Sequence, residues 1–214
     1  MRALIPAITI PLIIIIDQAT KFAVKTSMCL YEKVEVTSWF HILFTENKGM
    51  AFGMSFVGNM FLALFRISAT ALFIYLLYKI VKEKKYPKGL IVVVSMLIAG
   101  ALGNLVDNFF YGLIFTESLP TYFAQGPAHL VPFGEGYGEF LSGKVVDMFY
   151  FPLFEWPDWV PLVGGDVFFG AIFNVADAAI SIAFVLALCF YSKYLNFSFK
   201  KSKENNEWKW VPHS

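Results

Sequence analysis

Four stretches of this sequence stay apolar for roughly 20 residues, the length a helix needs to cross the hydrocarbon layer of a bilayer. They cover residues of about 3–24, 57–80, 90–110 and 170–191. A segment in lipid must satisfy its backbone N–H and C=O groups internally, so each is expected to be a transmembrane helix. Composition leaves little room for another solution. The chain has 214 residues, 57% hydrophobic and 15% charged, against about 25% charged in ordinary soluble domains. A chain of this size cannot hide so much apolar surface in one water-soluble core. A formal charge of +1 lacks the basic excess of a nucleic-acid binder. The first stretch opens like a signal peptide, with Arg2 before the apolar run. It has no small-residue cleavage site and ends in Asp17-Gln18-Ala19-Thr20-Lys21, so it reads as an uncleaved helix. Cys29 and Cys189 lie in no metal-binding spacing, and neither a metal nor a disulfide is expected.

The basic residues set the orientation. Lys79, Lys82, Lys84, Lys85 and Lys88 lie between the second and third stretches, and Lys193, Lys200, Lys201, Lys203 and Lys209 follow the fourth. The positive-inside rule then puts both termini in the cytoplasm. Residues 1–200 are expected to form one polytopic domain and 201–214 a polar cytoplasmic tail. Two segments face outward, about 25–56 and 111–169. The first contains the β-branched and aromatic runs Val34–Thr37 and Phe40–Thr45, which predict a small extracytoplasmic sheet. The second is rich in Gly, Pro and aromatics and predicts a long extracytoplasmic loop, with Tyr150, Phe151, Trp156 and Trp159 at headgroup level. The fold class is therefore an all-α membrane protein of four transmembrane helices, carrying a small outer sheet.

Ionisable residues in or beside membrane helices are costly and usually functional. Most of those in this chain fall at one level, the outer ends of the spans: Asp17 and Lys21, Asn104 and Asp107, Asn174 and Asp177, with Asp147 in the outward loop. Gly100, Asn104 and Asp107 share a helical face, as do Asn174, Asp177 and Ser181. Asp17 and Lys21 have the spacing of an intrahelical ion pair. Arg66, in mid-span, is expected to partner a carboxylate, and His41 to be a surface residue of the sheet. Two carboxylates at one membrane level, Asp147 and Asp177, have the makings of a dyad that shares a proton. From the residues alone, a proton relay through Asp107 and Asp177 in a transporter, or an assembly protein with interfacial acids, remains open.

Five short stretches, in this order, resemble the lipoprotein signal peptidases, the bacterial type II signal peptidases. They are Asp17–Lys21, Asn47-Lys48-Gly49-Met50-Ala51-Phe52, Gly100-Ala101-Leu102-Gly103-Asn104-Leu105-Val106-Asp107, Val145-Val146-Asp147-Met148-Phe149, and Phe173-Asn174-Val175-Ala176-Asp177-Ala178-Ala179-Ile180. The resemblance covers nearly the whole chain. It implies a membrane aspartyl endopeptidase without a cofactor, with Asp147 and Asp177 as the catalytic pair. Asn47, Gly49 and Asn174 would hold substrate, and Asp17, Lys21, Asn104 and Asp107 would support the site. It implies a diacylglyceryl-modified prolipoprotein as substrate, cut just before the lipid-bearing Cys. It also implies a monomer among the lipids of the bacterial cytoplasmic membrane, with its site at the outer face. Many members carry Arg directly after the position of Asp107, where this chain has Asn108. Arg66 is expected to replace part of that charge. A stretch at Gly134–Gly138 is expected to act as a lid.

Overall fold

The computed structural model describes residues 2–47, 55–83, 85–195, 197–201 and 208–212. Among the described residues, four helices are long and apolar enough to cross a membrane. These are α1 (Leu4–Ser27), α2 (Ser55–Lys82), α3 (Lys88–Val106) with its extension, and, last in the chain, α5 (Val175–Leu195). α3 runs on through a π-helical turn, Asp107–Tyr111, into the single turn α4 (Gly112–Ile114). Strands β1 (Lys33–Thr37), β2 (Phe40–Asn47), β3 (Val145–Tyr150) and β6 (Ile172–Phe173) form one sheet in the order β1-β2-β3-β6, antiparallel throughout. Between β3 and β6 stands a hairpin of β4 (Phe154–Glu155) and β5 (Val167–Phe168). After α5, β7 (Phe197–Lys201) pairs with β8 (Trp208–Pro212). That hairpin occupies part of the stretch read as a polar tail, because alternation over so short a run is masked by the lysines.

α3 is the central helix: α1, α2 and α5 all pack on it. Its spanning window is 67% buried, whereas those of α1 and α2 are 11% buried. Apolar residues all round α3 suit that place. α1 is inverted relative to a soluble amphipathic helix. Its buried residues are Asp17, Lys21 and Lys25, while Leu4, Ile8, Leu12 and Ile15 are exposed. In lipid the apolar face needs no protein cover, and the charges must turn inward to find partners.

α3 and α5 approach closely at two glycines. A Cβ at Gly100 would lie 2.4 Å from the Ala176 carbonyl oxygen and 2.6 Å from Ile180 Cγ1, and one at Gly103 would lie 2.8 Å from Asp17 Oδ2. Small residues at such a crossing let the backbones meet. Gly100→Ala is expected to cost about 1–3 kcal/mol of stability, the range for overpacking against an unyielding neighbour. A thermal midpoint in detergent equal to the wild type would contradict this packing.

Arg2 donates to the carbonyls of Ile80 (3.1 Å) and Tyr86 (2.6 Å), and the Tyr86 ring meets Tyr194 at 5.9 Å. The start of α1, the α2–α3 turn with its lysines and the end of α5 therefore share one end of the bundle. The four-stranded sheet lies at the other end. A core of Met28, Phe44, Tyr111, Phe115, Val146 and Met148 seals it to the helices. The sheet is thus part of the bundle's closure, which an all-α description leaves out. His41, expected on the sheet surface, is buried beneath the Tyr150 ring, its cross-strand partner.

Candidate active site

At the sheet end, the charges of α1 and α3 neutralise one another in the core. Lys21 Nζ lies 2.9 Å from Asp17 Oδ2 and 2.9 Å from Asp107 Oδ2, with all three side chains fully buried. Lys21 also donates to Asn104 Oδ1 at 2.9 Å. The Asp17–Lys21 pair is therefore part of a three-helix junction, not an isolated helix-end ion pair. Each carboxylate then reaches a backbone N–H on another element. Asp17 Oδ1 accepts the Ala176 N–H at 2.8 Å, and Asp107 Oδ2 accepts that of Val146 at 3.1 Å. One lysine thereby ties the first turn of α5 and the start of β3 to the same point.

Those two elements carry Asp177 and Asp147. Asn174 is not inside the last helix, as a span starting near residue 170 implies. It caps it: its Oδ1 accepts the Asp177 N–H at 2.9 Å, and its carbonyl takes the first helical bond, from Ala178 at 3.1 Å. An Asn at the cap with a carboxylate three residues on satisfies orphan N–H groups and sets Asp177 in the positive end of the helix dipole. The Asn174 amide also donates to Asp147 Oδ1 at 2.7 Å and to Asn104 Oδ1 at 3.1 Å. Asn104 donates in turn to Asp177 Oδ1 at 2.7 Å. Because Lys21 can only donate, it settles which end of the Asn104 amide faces Asp177. Two asparagines thus link the two aspartates. Asp147 is 5% exposed, and Asp177 is half-buried. Burial, and after it the charge of Asp177, push the Asp147 carboxyl up to about 7.

The cation sought near Asn108 comes from α2. Arg66 Nη1 donates to Asn108 Oδ1 at 2.7 Å, and its charge acts on Asp177 foremost, then on Asp107 and Asp147. Asn108 Nδ2 donates to the Gly143 carbonyl at 2.7 Å. Asn47 is exposed at the end of β2, opposite Val145 of β3. Gly49 lies outside the described residues. The π turn at Asp107–Tyr111 places Asp107, Asn108 and Tyr111 in the core together, a local widening that recurs at functional sites.

With this geometry in place, the comparisons with known proteins are direct. The pattern of the family described as Signal peptidase (SPase) II matches residues 9–193. This chain belongs to the signal peptidase II family. It is 44% identical over 191 residues to the lipoprotein signal peptidase of Porphyromonas gingivalis, covering 87% of this chain and 82% of that one. The lipoprotein signal peptidase of Amoebophilus asiaticus is 34% identical, over 79% of this chain and 70% of its own. Among solved structures, a bacterial membrane enzyme determined by the in meso method at 1.9 Å aligns with a TM-score of 0.56 and 26% identity, over 86% of this chain and 89% of that one. The chain is accordingly a membrane protease of the signal peptidase II family.

Gln18 and Gly143 also hold the site, and the sequence by itself gives neither of them a role. Gln18 Nε2 donates to Asp107 Oδ1 at 2.9 Å and to the Gly103 carbonyl at 3.0 Å, and its Oε1 accepts the Tyr111 hydroxyl at 3.2 Å. Its place in the Asp17–Lys21 motif was the available signal. Gly143 packs so close that a Cβ would sit against the Asp107 carbonyl oxygen, and nothing local marks it out. The stretch at Gly134–Gly138 is fastened to the end of α3, by Gly134 N–H to Leu113 O at 3.0 Å and Gly138 N–H to Gly112 O at 2.8 Å. The stretch expected to act as a lid is thus held against α4 at both of its ends.

Proposed function

We propose that this protein is an aspartyl endopeptidase that removes the signal peptide from diacylglyceryl-modified prolipoproteins, cutting just before the lipid-bearing Cys. Asp147 and Asp177 are its catalytic pair. The observation that carries this reading is the asparagine link between the two carboxylates, held on β3 and α5 by the Lys21 junction. The names of the relatives, lipoprotein signal peptidases, support the substrate class.

Peptide hydrolysis needs an activated water and a protonated leaving amine. Asp147 holds the proton, favoured by its burial and by the negative charge of Asp177. Asp177 acts as the base, set at the N-terminus of α5 with the charge of Arg66 acting on it. Asp177 takes a proton from water as the oxygen adds to the scissile carbonyl, while Asp147 donates a hydrogen bond to the carbonyl oxygen. The resulting intermediate breaks its C–N bond as the proton gathered by Asp177 passes to the Cys nitrogen. The products are a carboxyl-ended signal peptide and a lipoprotein with a free amine.

The lysines at the opposite end of the bundle support a cytoplasmic location for that end, by the positive-inside rule. The sheet, the loops and the dyad then sit at the outer membrane–water boundary. Water reaches the half-buried Asp177 there, while the acyl chains of the substrate remain in lipid. Asp147 and Asp177 come from one chain and are linked within it, which supports a monomer as the active form.

Arg66 supplies the positive charge that Asn108 does not. Arg66→Gln is expected to lower turnover by about 10²-fold, the scale for removing one preorganised electrostatic contact. Adding Asn108→Arg to that variant is expected to restore part of the loss. If Arg66→Gln cleaves and folds as the wild type does, the role assigned to Arg66 is wrong.

The experiment that tests the function is a gel-shift assay with purified protein in detergent and a diacylglyceryl-modified prolipoprotein. Release of the signal peptide, with a new N-terminus at the lipid-bearing Cys, is the expected result. An inert protein, on a substrate that another such peptidase cleaves, would overturn the reading.

A further inference from the structure

One turn beyond Lys21, α1 presents a third buried charge. Asp17, Lys21 and Lys25 follow at i, i+4 and i+8, each 0% exposed. Asp17 grips α5 and Lys21 grips α3, as described above. Lys25 grips neither. Its Nζ donates to Glu46 Oε1 on β2 and to Ser118 Oγ at 2.8 Å, and Ser118 itself donates to Glu46 Oε1 at 2.8 Å. From the other side, Lys144 lies 3.5 Å from Glu46 Oε2, an ion pair without a hydrogen bond, and 2.9 Å from Glu117 Oε1. The Tyr137 ring lies beside both ammonium groups, 5.1 Å from Lys25 Nζ and 4.9 Å from Lys144 Nζ. Its hydroxyl accepts the Lys144 backbone N–H at 2.8 Å.

We infer that Lys25, Glu46, Lys144 and Tyr137 form a second ionic anchor, which positions β3 and with it the carboxylate of Asp147. The inference rests on the dyad reading above. Lys144 directly precedes β3, and Glu46 is the cross-strand partner of Val146. From the Lys21 junction, β3 receives one contact, the bond of Asp107 to the Val146 N–H. Pairing with β2 and β6 fixes the register of β3 within the sheet, and Asn174 donates to the Val146 carbonyl at 3.2 Å, but these contacts meet the junction around Val146 alone, and the sheet can tilt about that residue. The second anchor holds the residue that leads into the strand and, through Glu46, the neighbouring strand β2, and both holds end on α1. Two lysines one turn apart on a single rigid helix therefore set β3 against α3 and α5, where Asp177 and its asparagines are placed. Opposite charges satisfied in the interior suit this task, since a buried charge without its partner costs far more than a mismatched apolar contact. The Glu46 carboxylate lies between the two like charges, one ammonium on each oxygen, and each is also attracted to the Tyr137 ring. None of the four side chains is a catalytic residue: they act on the reaction through the place of Asp147.

The test uses the full chain in lipid nanodiscs, with the double substitution Lys25→Met and Glu46→Met. Replacing a buried ion pair by apolar side chains of similar size tends to leave stability intact, so positioning separates from folding. The expected result is an unchanged thermal midpoint, a kcat about 10-fold lower and an unchanged KM, as for a reacting group displaced by a fraction of an ångström. Amide hydrogen exchange over 144–149 is expected to quicken by about 10-fold, with α3 and α5 unaffected. Wild-type kcat, or wild-type exchange in β3, would overturn the anchor. If the double variant does not fold, Tyr137→Phe decides instead. It keeps the ring and removes the acceptor of the Lys144 N–H, and the same pattern is expected at about 3-fold. The dyad reading fails separately, through full activity of Asp147→Asn. In that event exchange in β3 still judges the anchor, with quickening in its favour and wild-type exchange against it.

Discussion

Asp147→Asn and Asp177→Asn are each expected to abolish signal-peptide release, with turnover lower by about 10³-fold or more, while the protein still folds. Each removes one member of the proposed proton-transferring pair, and general acid–base contributions alone reach about 10²–10⁴-fold. Folding survives because Asn keeps the shape of the side chain. The two variants are expected to differ in stability. The Asp147 carboxyl titrates near 7 in the folded protein, well above the ordinary carboxylate value of about 3.9. Between those values the folded state binds more protons than the unfolded state, so wild-type stability falls as pH rises through that window. The loss is on the order of a few kcal/mol and is complete above the folded value. Asp147→Asn has no such proton to lose. It is expected to melt above the wild type at about pH 8, an advantage that disappears below about pH 4. The proton on Asp147 also limits wild-type turnover, which is expected to fall as pH rises through about 7. A pH–rate profile and paired melting curves check both. Undiminished cleavage by either variant would remove the dyad.

Lys21→Met is expected to be the most damaging single change to the fold. It leaves Asp17 and Asp107 fully buried with no cation between them. Breaking a buried pair by removing one partner costs about 3–5 kcal/mol, a large part of a typical stability of about 5–15 kcal/mol. Two carboxylates lose their partner here, so the upper end of that range applies. The damage should be directional. Asp17 holds the first turn of α5 and Asp107 holds β3, so Asp177 and Asp147 both lose their support. A low yield of folded protein, with no cleavage from what folds, is the expected outcome. Adding Asp17→Asn and Asp107→Asn to Lys21→Met should recover folding without recovering full activity, because the neutral cluster has no charge left to bury. Thermal unfolding in detergent, together with the gel-shift assay, separates the two effects. Wild-type stability for Lys21→Met would show that the junction does not hold the site.

Much of this architecture was legible before any coordinates. The four apolar runs are local sums over consecutive residues, and lipid makes such sums decisive, since no other backbone arrangement satisfies its polar groups there. The ends of those runs were less legible. Gly170–Phe173 looked like the start of the last span, but Ile172 and Phe173 pair with β3 and the helix waits for its cap at Asn174. Apolar β-branched and aromatic residues suit a buried strand as well as a membrane helix, and only the partner strand distinguishes them. His41 was misplaced for a related reason: its burial depends on Tyr150, a neighbour supplied by another strand.

The polar residues divide in the same way. Sequence by itself determined that Asp17, Lys21, Asn104, Asp107, Asn174 and Asp177 would gather at one level, because each sits at a computable depth along its own helix. The motifs that the chain shares with its family singled out Asp147. Only the tertiary structure decided which group faces which. It placed Asp17 on the first turn of α5, Arg66 beside Asn108, and Lys25 between Glu46 and Ser118. These partners come from distant parts of the chain, and no periodicity records them. Hydropathy states how costly a charge is at a given depth, whereas the choice of its partner follows from how the helices and strands pack.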